Sequence, residues 1–421
     1  MWCLLPACCV TVAAAPAPRA VTTSLADCSW SFFGDPRALV HGRVVLTACV
    51  SSRGVPVLVR ADRSGRWHAV VTLFARMEAD DHNNPSIVFW RRRLWAFVSP
   101  HSGHTYPLDR HMFVHYRESH RAWGVTGGFG RVRSVSLPHG CGLGYTYPNP
   151  VVSGARLYLF LRGPCLQPIF TWTADGVHWA RARTLMLGQP HPGRRERPYA
   201  KYAGGPDGIS MAFSDCHPHS CRTSLFYMRM RGARFYRADG SLIGGLGDLP
   251  FRAGELDAIY RYRVGGGRAW PMDVALDRSG APAVVYTRSS RHGDRFFYAT
   301  FGAGGWTSRL AAEAHGHYGG YSNGGASLRH EDPAWLALGA DAGGHTPWRV
   351  RLLHTPDGGA TWTDVPVPGQ SPEANFRPVF PRGAPAGEPP LLEWVAGRAP
   401  DFRHYRTRVI LSGSWSAGAA A

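Results

Sequence analysis

A proline recurs along the chain at intervals of roughly fifty to seventy residues, each time close to a short apolar segment. The dipeptides are Asp35-Pro36, Asn84-Pro85, Asn149-Pro150, Arg197-Pro198, Trp270-Pro271 and Arg377-Pro378. Proline lacks an N–H group, so a sheet tolerates it at the first residue of a strand. The pair Gly324-Gly325 takes the equivalent place in the longest interval between two of these prolines. The chain therefore has seven predicted strand starts, with a spacing typical of propeller blades.

Segments with the pattern of β-strands follow most of these starts. They are Arg43 to Val50, Val57 to Val59, Met112 to Tyr116, Leu225 to Met230, Ala283 to Thr287 and Trp348 to Leu353. The 50 Gly and 33 Pro suit short strands joined by turns, and no long stretch has the apolar spacing of a helix. We predict an all-β, seven-bladed β-propeller, with paired β-sandwiches as the alternative.

Two turns have the form of an Asp-box. Thr355 to Trp362 matches the pattern S/T-x-D-x-G-x-x-W, and Thr173 to Trp179 matches it with one residue fewer. In such a turn the Asp caps its own backbone, the Gly supplies a positive φ and the Trp packs between strands. The boxes indicate repeated hairpins and carry no chemistry of their own.

The first twenty residues combine a short apolar run with small residues of A-x-A type, which is typical of a cleaved export signal that here lacks a basic start. Leu5 to Cys8 also resembles a lipoprotein cleavage box, which is the alternative. We expect a signal peptide at 1–20, a single propeller domain at 21–421, and a secreted monomer. No other segment is long and apolar enough to span a bilayer.

Without that leader the chain keeps an even number of cysteines, which indicates disulfides in an exported protein. The six are Cys28, Cys49, Cys141, Cys165, Cys216 and Cys221. Cys216 and Cys221 are the easiest pair because they nearly adjoin, and Cys141 with Cys165 is a second pairing. Sequence alone fixes neither.

The formal net charge of +18 comes from arginine, because Lys201 is the only lysine. Such a charge suits either a solvated arginine surface or a field that attracts an anionic polymer. Nucleic acid is not the expected partner, since the arginines are scattered and no helix-turn-helix, zinc-finger or aromatic RNA-binding motif occurs.

Four side chains that can handle a proton or a carboxylate lie at matching points of two consecutive repeats. They are His82, His101, Tyr147 and Arg162. Each repeat reads as a strand, a tight turn and a second strand. Because hairpin strands run in opposite directions, the start of the first strand and the end of the second meet at one rim. We expect the four side chains to converge there.

Several segments together resemble one family. They are DDHNNPSIVF, YPNP, LYLFLRG, RPYAKY, FSDCHP, AWPMDVALDRSGAPAVVY and FRPVF. They resemble the secreted propeller enzymes built from bacterial neuraminidase-type repeats, which include ulvan lyases and the lyases and α-L-rhamnosidases that act on rhamnosyl-glucuronate linkages. The resemblance runs from about Cys28 to the C-terminus, and its most specific part is the D-x-H-N-x-P segment from Asp80 to Pro85.

The resemblance implies a central pocket for an acidic sugar chain, with His82, His101, Tyr147 and Arg162 as its catalytic residues. A lyase would remove the proton on C5 of a glucuronate and expel the oxygen on C4. Arg162 would neutralise the carboxylate, since its planar fork pairs with a carboxylate and keeps its charge. His82 or Tyr147 would take the proton, Tyr147 would otherwise protonate the leaving oxygen, and His101 would orient the sugar or the base. The sequence leaves open which of His82 and Tyr147 is the base.

Further substrate-binding candidates are Asn83, Tyr199, Lys201 and His217, near the ends of strands in neighbouring repeats. His104 competes with His101 for the second histidine role. The segment from Cys216 to Cys221 also contains two histidines, so zinc binding is the alternative to a disulfide there. No cofactor is required by the proposed chemistry, although the sequence leaves room for a structural metal ion.

Three other functions remain open at this point. An α-L-rhamnosidase on the same scaffold would cleave the same linkage with water and leave a saturated product. A sialidase shares the Asp-boxes but needs an arginine triad and an acidic partner that cannot be assembled here. A propeller that only binds an acidic glycan would need the same pocket.

Overall fold

The protein is described by a computed structural model over residues 21–413, except 63, 102–112, 122–126, 138–143, 192–193, 196, 291–292, 316–323, 342–346 and 385–389. In the described part, antiparallel strands form seven sheets of four or more strands, and two short strand pairs, one parallel and one antiparallel, lie beside them. One α-helical turn, α1 (Tyr262–Gly265), and 3₁₀ turns at Asp81–Asn83, Pro164–Leu166, Leu246–Asp248 and Ala253–Glu255 lie between strands.

Each of the seven sheets is one blade, and the strands are numbered here along the chain. The first strand, β1 (Val21–Ala26), belongs to the last blade. Blade 1 contains β2 (Ala38–His41), β3 (Val44–Val50), β4 (Pro56–Asp62) and β5 (Trp67–Thr72). Blade 2 contains β6 (Ser86–Trp90), β7 (Arg93–Val98), β8 (Phe113–Glu118) and β9 (Arg133–Ser136). Blade 3 contains β10 (Thr146–Ser153), β11 (Arg156–Arg162), β12 (Pro168–Thr173) and β13 (Arg183–Thr184).

Two short pairs flank blade 4. They consist of β14 (Met186–Leu187) with β22 (Phe251–Arg252), and β15 (Pro190–His191) with β16 (Arg194–Arg195). Blade 4 itself contains β17 (Ala200–Gly205), β18 (Gly208–Ser214), β19 (Leu225–Arg231), β20 (Arg234–Tyr236), β21 (Leu242–Gly245) and β23 (Asp257–Tyr260). This blade is the widest because β20 and β23 pair with different halves of β19.

The remaining blades return to the simple pattern of four strands. Blade 5 contains β24 (Arg268–Leu276), β25 (Pro282–Ser290), β26 (Gly293–Gly302) and β27 (Gly305–Ala314). Blade 6 contains β28 (Ala326–Leu328), β29 (Trp335–Ala340), β30 (Arg349–His354) and β31 (Thr363–Val365). Blade 7 contains β32 (Asn375–Val379), β33 (Leu392–Arg398) and β34 (Arg406–Gly413), and β1 completes it.

The innermost strands confirm the predicted seven-bladed propeller. These strands are β2, β6, β10, β17, β24, β28 and β32, and each begins at or near one of the predicted strand starts. Neighbouring inner strands contact one another in chain order, and a parallel bridge from Leu39 to Arg382 joins blade 1 to blade 7. β1 pairs antiparallel with β34, so strands from both ends of the described chain close the ring.

The hydrophobic core lies between neighbouring blades. Trp95 and Tyr116 of blade 2 pack with Leu159 of blade 3, for example, and Phe160 of blade 3 packs with Phe213 of blade 4. A blade in the ring is covered on both faces, so strands such as β18 are buried along their whole length. This explains why the sequence shows continuous apolar runs where a half-exposed sheet would alternate.

The Asp-boxes and the Cys216–Cys221 disulfide also follow the sequence analysis, which named no partner for Cys28 or Cys49. Asp357 accepts a hydrogen bond from the N–H of Thr361 at 2.8 Å, and Trp362 packs edge-on against Tyr298. Disulfides join Cys28 to Cys49 and Cys216 to Cys221, so the thiols of the second pair are not free for zinc. The leader at 1–20, Cys141 and His104 lie outside the described residues. In the described part, every helix is too short to cross a membrane.

Candidate active site

The first hairpin, β6 and β7, brings His82 and His101 to one rim of the ring. His82 lies in the 3₁₀ turn before β6, and His101 follows β7. Asp80 caps the turn by accepting the N–H of His82 at 2.9 Å. Asn83 accepts the N–H of His101 at 2.7 Å through its side-chain oxygen, which fixes the end of β7 against the turn.

The carboxylate of Asp80 bridges the two imidazole rings. Its Oδ1 lies 2.7 Å from Nδ1 of His82, and its Oδ2 lies 2.9 Å from Nδ1 of His101. The rings stack face to face with 4.1 Å between their centroids. Asp81 adds a second carboxylate oxygen 3.0 Å from Nδ1 of His82, and both carboxylates are fully buried. Phe402 covers the pair edge-on.

This arrangement leaves His82 positively charged and His101 neutral near neutral pH. Burial alone would lower the pKa of His82, but the carboxylates of Asp80 and Asp81 outweigh burial and raise it to about 9. Burial and the positive charge on His82 lower the pKa of His101 to about 4, against the hydrogen bond to Asp80. Burial would likewise raise the pKa of Asp80, but the charge and hydrogen bonds of the histidines hold it well below its usual value.

The second hairpin, β10 and β11, brings Tyr147 and Arg162 to the same rim. Thr146 lies opposite Arg162 in the register, and a bulge follows, in which Tyr147 takes a left-handed φ of +59°. Such a conformation costs a non-glycine residue about 1–3 kcal/mol and persists only where the surroundings enforce it. The phenol oxygen of Tyr147 lies 3.5 Å from Nε2 of His101.

The guanidinium of Arg162 lies over the ring of Tyr147, with 4.5 Å between its central carbon and the ring centroid. Its Nε donates to Thr146 Oγ1 at 3.0 Å, and its Nη1 donates to the phenol oxygen of Tyr199 at 3.2 Å. Burial raises the pKa of Tyr147 well above its usual value, although the charge of Arg162 opposes this. Tyr147 is therefore a protonated donor beside a fixed cation.

All four predicted catalytic residues line one cavity of about 360 Å³, a size suited to one or two sugar rings. The cavity lies at the central opening of the ring, where residues from blades 2, 3, 4, 5 and 7 meet. Its aromatic lining comes from Phe32, Phe33, Tyr199, Trp270 and Phe402.

Several residues that the sequence analysis did not assign to the site also line this cavity. They are Arg197, Trp270, Arg377 and Phe402. The first three stand immediately before the proline at a predicted strand start, as Tyr147 stands before Pro148. Asp35, Asn84 and Asn149, which precede the other three prolines, do not line the cavity, so the dipeptides that predicted the blades carried only part of the signal for the pocket. Phe402 lies between β33 and β34, and no motif marks it.

The four further substrate-binding candidates divide between the pocket and its supporting wall. Tyr199 lines the cavity. Lys201 is buried behind Phe33, and its ammonium pairs with Asp35 at 2.6 Å. Asn83 is fully buried and positions His101, as described above. His217 is also buried, 5.2 Å from the ring of Tyr199, and burial with nearby positive charge lowers its pKa to about 2.

Asp80, His82 and His101 also form a group whose ligand atoms are close enough to share a metal ion, and no other described group of three or more such residues does so. A histidine must be unprotonated to bind a metal. Nδ1 of His82 faces two carboxylates that raise its pKa to about 9. Nδ1 of His82 already pairs with both carboxylates, so a metal ion bound at that nitrogen would have to displace its proton.

Comparison with known proteins identifies the class of protein to which this fold and pocket belong. The family model described as "BNR repeat-containing family member" matches residues 46–314, and the chain belongs to that family. None of the curated protein sequences matches the chain.

Solved structures share the fold at low sequence identity. An ulvan lyase of family PL25, solved with a bound -[GlcA(1-4)Rha3S]- ligand, is 12% identical, with a TM-score of 0.69 over 94% of this chain and 96% of that one. The polysaccharide lyase Uly1 is 14% identical, with a TM-score of 0.59 over 92% of each chain. These likenesses establish a common propeller architecture along nearly the whole length.

Proposed function

We propose that the protein is a polysaccharide lyase that cleaves the bond to O4 of a glucuronate by β-elimination, in a rhamnose-bearing or ulvan-like acidic glycan. The observation that carries the proposal is the 3.5 Å separation between Nε2 of His101 and the phenol oxygen of Tyr147, beside the guanidinium of Arg162. A proton acceptor, a proton donor and a carboxylate anchor thus share one small cavity.

The charge states favour His101 as the base in place of His82. With a pKa of about 4, His101 is neutral near pH 7. Its single proton lies on Nδ1, which donates to Asp80, so Nε2 is unprotonated and can accept the proton from C5. His82, with a pKa of about 9, is positively charged and would stabilise the anion that forms at C5. Tyr147, whose pKa is raised by burial, would donate its proton to the leaving oxygen on C4.

The side-by-side placement of base and acid fits glucuronate in particular. In glucuronate the hydrogen on C5 and the oxygen on C4 leave from the same face of the ring, so one small cluster can serve both. Iduronate, the C5 epimer, presents that hydrogen on the opposite face. We therefore expect cleavage at glucuronate and at most weak cleavage at iduronate.

The bond changes balance without a cofactor. His101 takes the C5 proton, the electron pair of that C–H bond forms the C4–C5 double bond, and the C4–O bond breaks. Tyr147 protonates the departing oxygen, and proton exchange with water resets both groups. Arg162 would hold the uronate carboxylate, and losing a charge-stabilising donor of this kind costs about 3–4 kcal/mol in the transition state.

The direct test is to digest glucuronate-containing glycans and follow the ultraviolet absorbance of an unsaturated uronate. The proposal expects this absorbance to rise with wild-type protein and to rise at least a hundredfold more slowly with Arg162→Gln. Release of free rhamnose without an ultraviolet signal would instead identify the α-L-rhamnosidase alternative. Tight binding of the glycan without either product would identify a binding propeller.

We also propose that the protein acts outside the cytosol. The disulfides Cys28–Cys49 and Cys216–Cys221 support this, because such bonds persist in oxidising compartments. An acidic polysaccharide substrate supports it as well, since long glycans of this type are extracellular. Recovery of the protein from the culture medium of a host that expresses the full chain, with its N-terminus determined, would test the proposal and the 1–20 signal.

A further inference from the structure

A buried segment without regular secondary structure forms part of the cavity wall. It consists of residues 30–34, lies between β1 and β2, and is called the axial strap below. Phe32 and Phe33 of the strap line the cavity. Because water cannot reach a buried backbone, its N–H and C=O groups need partners within the protein. Those partners show how the strap is held.

Each carbonyl of the axial strap accepts a hydrogen bond from a side chain, and each of these side chains belongs to a different blade. The donors, in the order of the strap, are Arg377 (blade 7), Arg37 (just before blade 1), Lys201 (blade 4), Asn149 (blade 3) and Asn84 (just before blade 2). Asp35 follows the strap, and its carboxylate balances two of the donors, Arg37 and Lys201. A segment that five blades reach with their side chains lies at the axis of the ring.

The first of two asparagines in this set connects the strap to the histidine hairpin. Asn84 directly follows the 3₁₀ turn that carries His82. Its side chain accepts the N–H of Ser31 at 3.1 Å and donates to the carbonyl of Gly34 at 3.3 Å. A Cβ at Gly34 would lie 3.0 Å from Nδ2 of Asn84, so any larger residue there would press on this amide. The strap and the turn are therefore in close contact.

The second asparagine connects the strap to the hairpin of Tyr147. Nδ2 of Asn149 donates to the carbonyls of Phe33 and Tyr147, at 2.8 Å in each case. The rings of Phe33 and Tyr147 also pack together, with 5.6 Å between their centroids. Tyr147 has a left-handed φ of +59° beside a bulge, and such a backbone persists only where its surroundings enforce it. The bridge through Asn149 is one such constraint.

We propose that the axial strap sets the geometry of the active site, with Asn84 and Asn149 as positioning residues. Asn84 fixes the turn of His82 to the strap, and Asn149 fixes the bulge of Tyr147 to the same strap. The 3.5 Å separation between Nε2 of His101 and the phenol oxygen of Tyr147 then depends on a segment that precedes blade 1. This inference rests on the proposed function, because it takes Tyr147 as the proton donor.

A double-mutant cycle separates positioning from simple stabilisation of the fold. Asn149→Ala should lower kcat on a glucuronate oligosaccharide about tenfold or more and change KM less than about twofold, because it displaces a group needed only for the chemistry. In the Tyr147→Phe background the same substitution should change kcat less than about twofold, since the donor that Asn149 places is already absent. Asn84→Ala should lower kcat in both backgrounds, because both still need the histidine turn.

The matched control is Asn375→Ala. Asn375 is a buried asparagine at the first residue of β32, and its amide donates to the carbonyls of Ser371 and Glu373 in place of the strap. Its loss should lower the melting temperature but leave kcat within about twofold of wild type. If Asn149→Ala does not fold, as judged by circular dichroism, Asn149→Ser replaces it. Serine keeps one donor, and its loss of kcat, about threefold or more, should again disappear in the Tyr147→Phe background.

A crystal structure of the Asn149 variant tests the inference without substrate. The phenol oxygen of Tyr147 should lie more than about 1 Å farther from Nε2 of His101 than in the wild type. An unmoved phenol, a normal kcat, or an equal loss of kcat in both backgrounds would overturn the inference. Failure of the lyase proposal is a separate result, because it is scored by the absence of an unsaturated product with the wild-type protein and leaves the crystallographic test unaffected.

Discussion

At the scale of single residues, the two stacked histidines are chemically different because Asp81 faces only one of them. Asp80 touches both rings, but Nδ1 of His82 has a second carboxylate oxygen at 3.0 Å. The proton therefore resides on His82, and its charge in turn keeps His101 neutral. Two like residues 4.1 Å apart thus hold different charges, which the proposed roles of base and electrostatic stabiliser require.

Removing the phenol oxygen of Tyr147 should abolish most catalysis with little effect on binding. Tyr147→Phe keeps the ring under Arg162 but deletes the proton donor, so kcat should fall about a hundredfold or more while KM changes little. The matched variant Tyr199→Phe loses hydrogen bonds to Arg162 and Tyr147 but keeps the proton donor, so it should retain more activity. Steady-state kinetics on a glucuronate oligosaccharide would measure both. Near-normal turnover by Tyr147→Phe would exclude it as the donor.

The pH dependence of kcat/KM should be bell-shaped, with a broad plateau. Activity should fall as the pH drops through about 4, where His101 gains a proton, and as it rises through about 9, where His82 loses one. Because the pKa of His82 is raised on folding, its charged form stabilises the fold below pH 6.5, and that contribution is lost as the pH rises through about 9. Because the two histidines interact, each limb of the profile reports the titration of the pair and not of one residue alone.

Asp80→Asn should shift the alkaline limb to lower pH by about one to two units, because it removes a carboxylate that raises the pKa of His82. Asp62→Asn is the matched control, since Asp62 pairs with His68 at 2.6 Å in blade 1, away from the cavity. The control should leave both limbs unchanged. An Asp80→Asn profile that coincides with wild type would contradict the assigned charge of His82.

At the scale of elements, the strand starts were predictable and much of the pocket was not. The prolines have a local steric cause: Pro85 directly precedes β6, whereas Pro150 and Pro271 lie inside β10 and β24 beside bulges, so they mark their blades in the sequence. The hairpin argument also brought His82 and Arg162 to one rim, because antiparallel geometry is local. Phe402 and Arg197 reach the cavity only through the ring arrangement of distant blades, and that contact has no local pattern.

Lys201 is the converse case, a residue that the sequence assigns to the site although it does not line the cavity. Sequence analysis takes the single lysine, two residues after Tyr199, as a substrate ligand. Tyr199 lines the cavity, whereas Lys201 is buried and its ammonium pairs with Asp35. The partner that neutralises it lies 166 residues away in the chain, and only the closed ring brings them together.

The loop closed by the Cys216–Cys221 disulfide should act on substrate affinity. It holds His217 against Tyr199 and Trp270, with ring centroids 5.2 and 5.5 Å apart, so it supports the aromatic wall from behind. Replacing both cysteines with serine should raise KM several-fold with little change in kcat, since the proton-transfer groups lie in other blades. Steady-state kinetics on an oligosaccharide would measure this.

The Cys28–Cys49 disulfide is the matched control for that prediction. It lies in the core between blades 1 and 7 and closes a longer segment, with a sequence separation of 21. Its replacement by serines should lower the unfolding free energy by about 3 kcal/mol and leave KM unchanged. An unchanged KM in the Cys216→Ser, Cys221→Ser variant would show that the loop does not position the wall.

At the scale of the whole molecule, closure of the ring is what assembles the site. β1 pairs with β34 along its entire length, and the bridge from Leu39 to Arg382 joins the first and last blades near the axis. Asp81 of blade 2 is held by Arg377 of blade 7, and its N–H donates to the carbonyl of Phe402 at 2.8 Å. The charge on His82 thus depends on a contact between blade 2 and blade 7. These blades are not neighbours in the ring, because blade 1 lies between them.

The net charge of +18 should act on long substrates more than on short ones. A long anionic chain samples the field of the whole surface, whereas a tetrasaccharide in the cavity senses mainly the nearby groups, and salt screens distant charges first. Raising the salt from about 0.05 to 0.5 M should therefore lower kcat/KM about tenfold for the polymer and only about threefold for the tetrasaccharide. Circular dichroism at both salt concentrations would confirm that the fold is unchanged. Equal losses for both substrates would mean that the arginine surface is only solvated, and that attraction of the glycan is confined to the cavity.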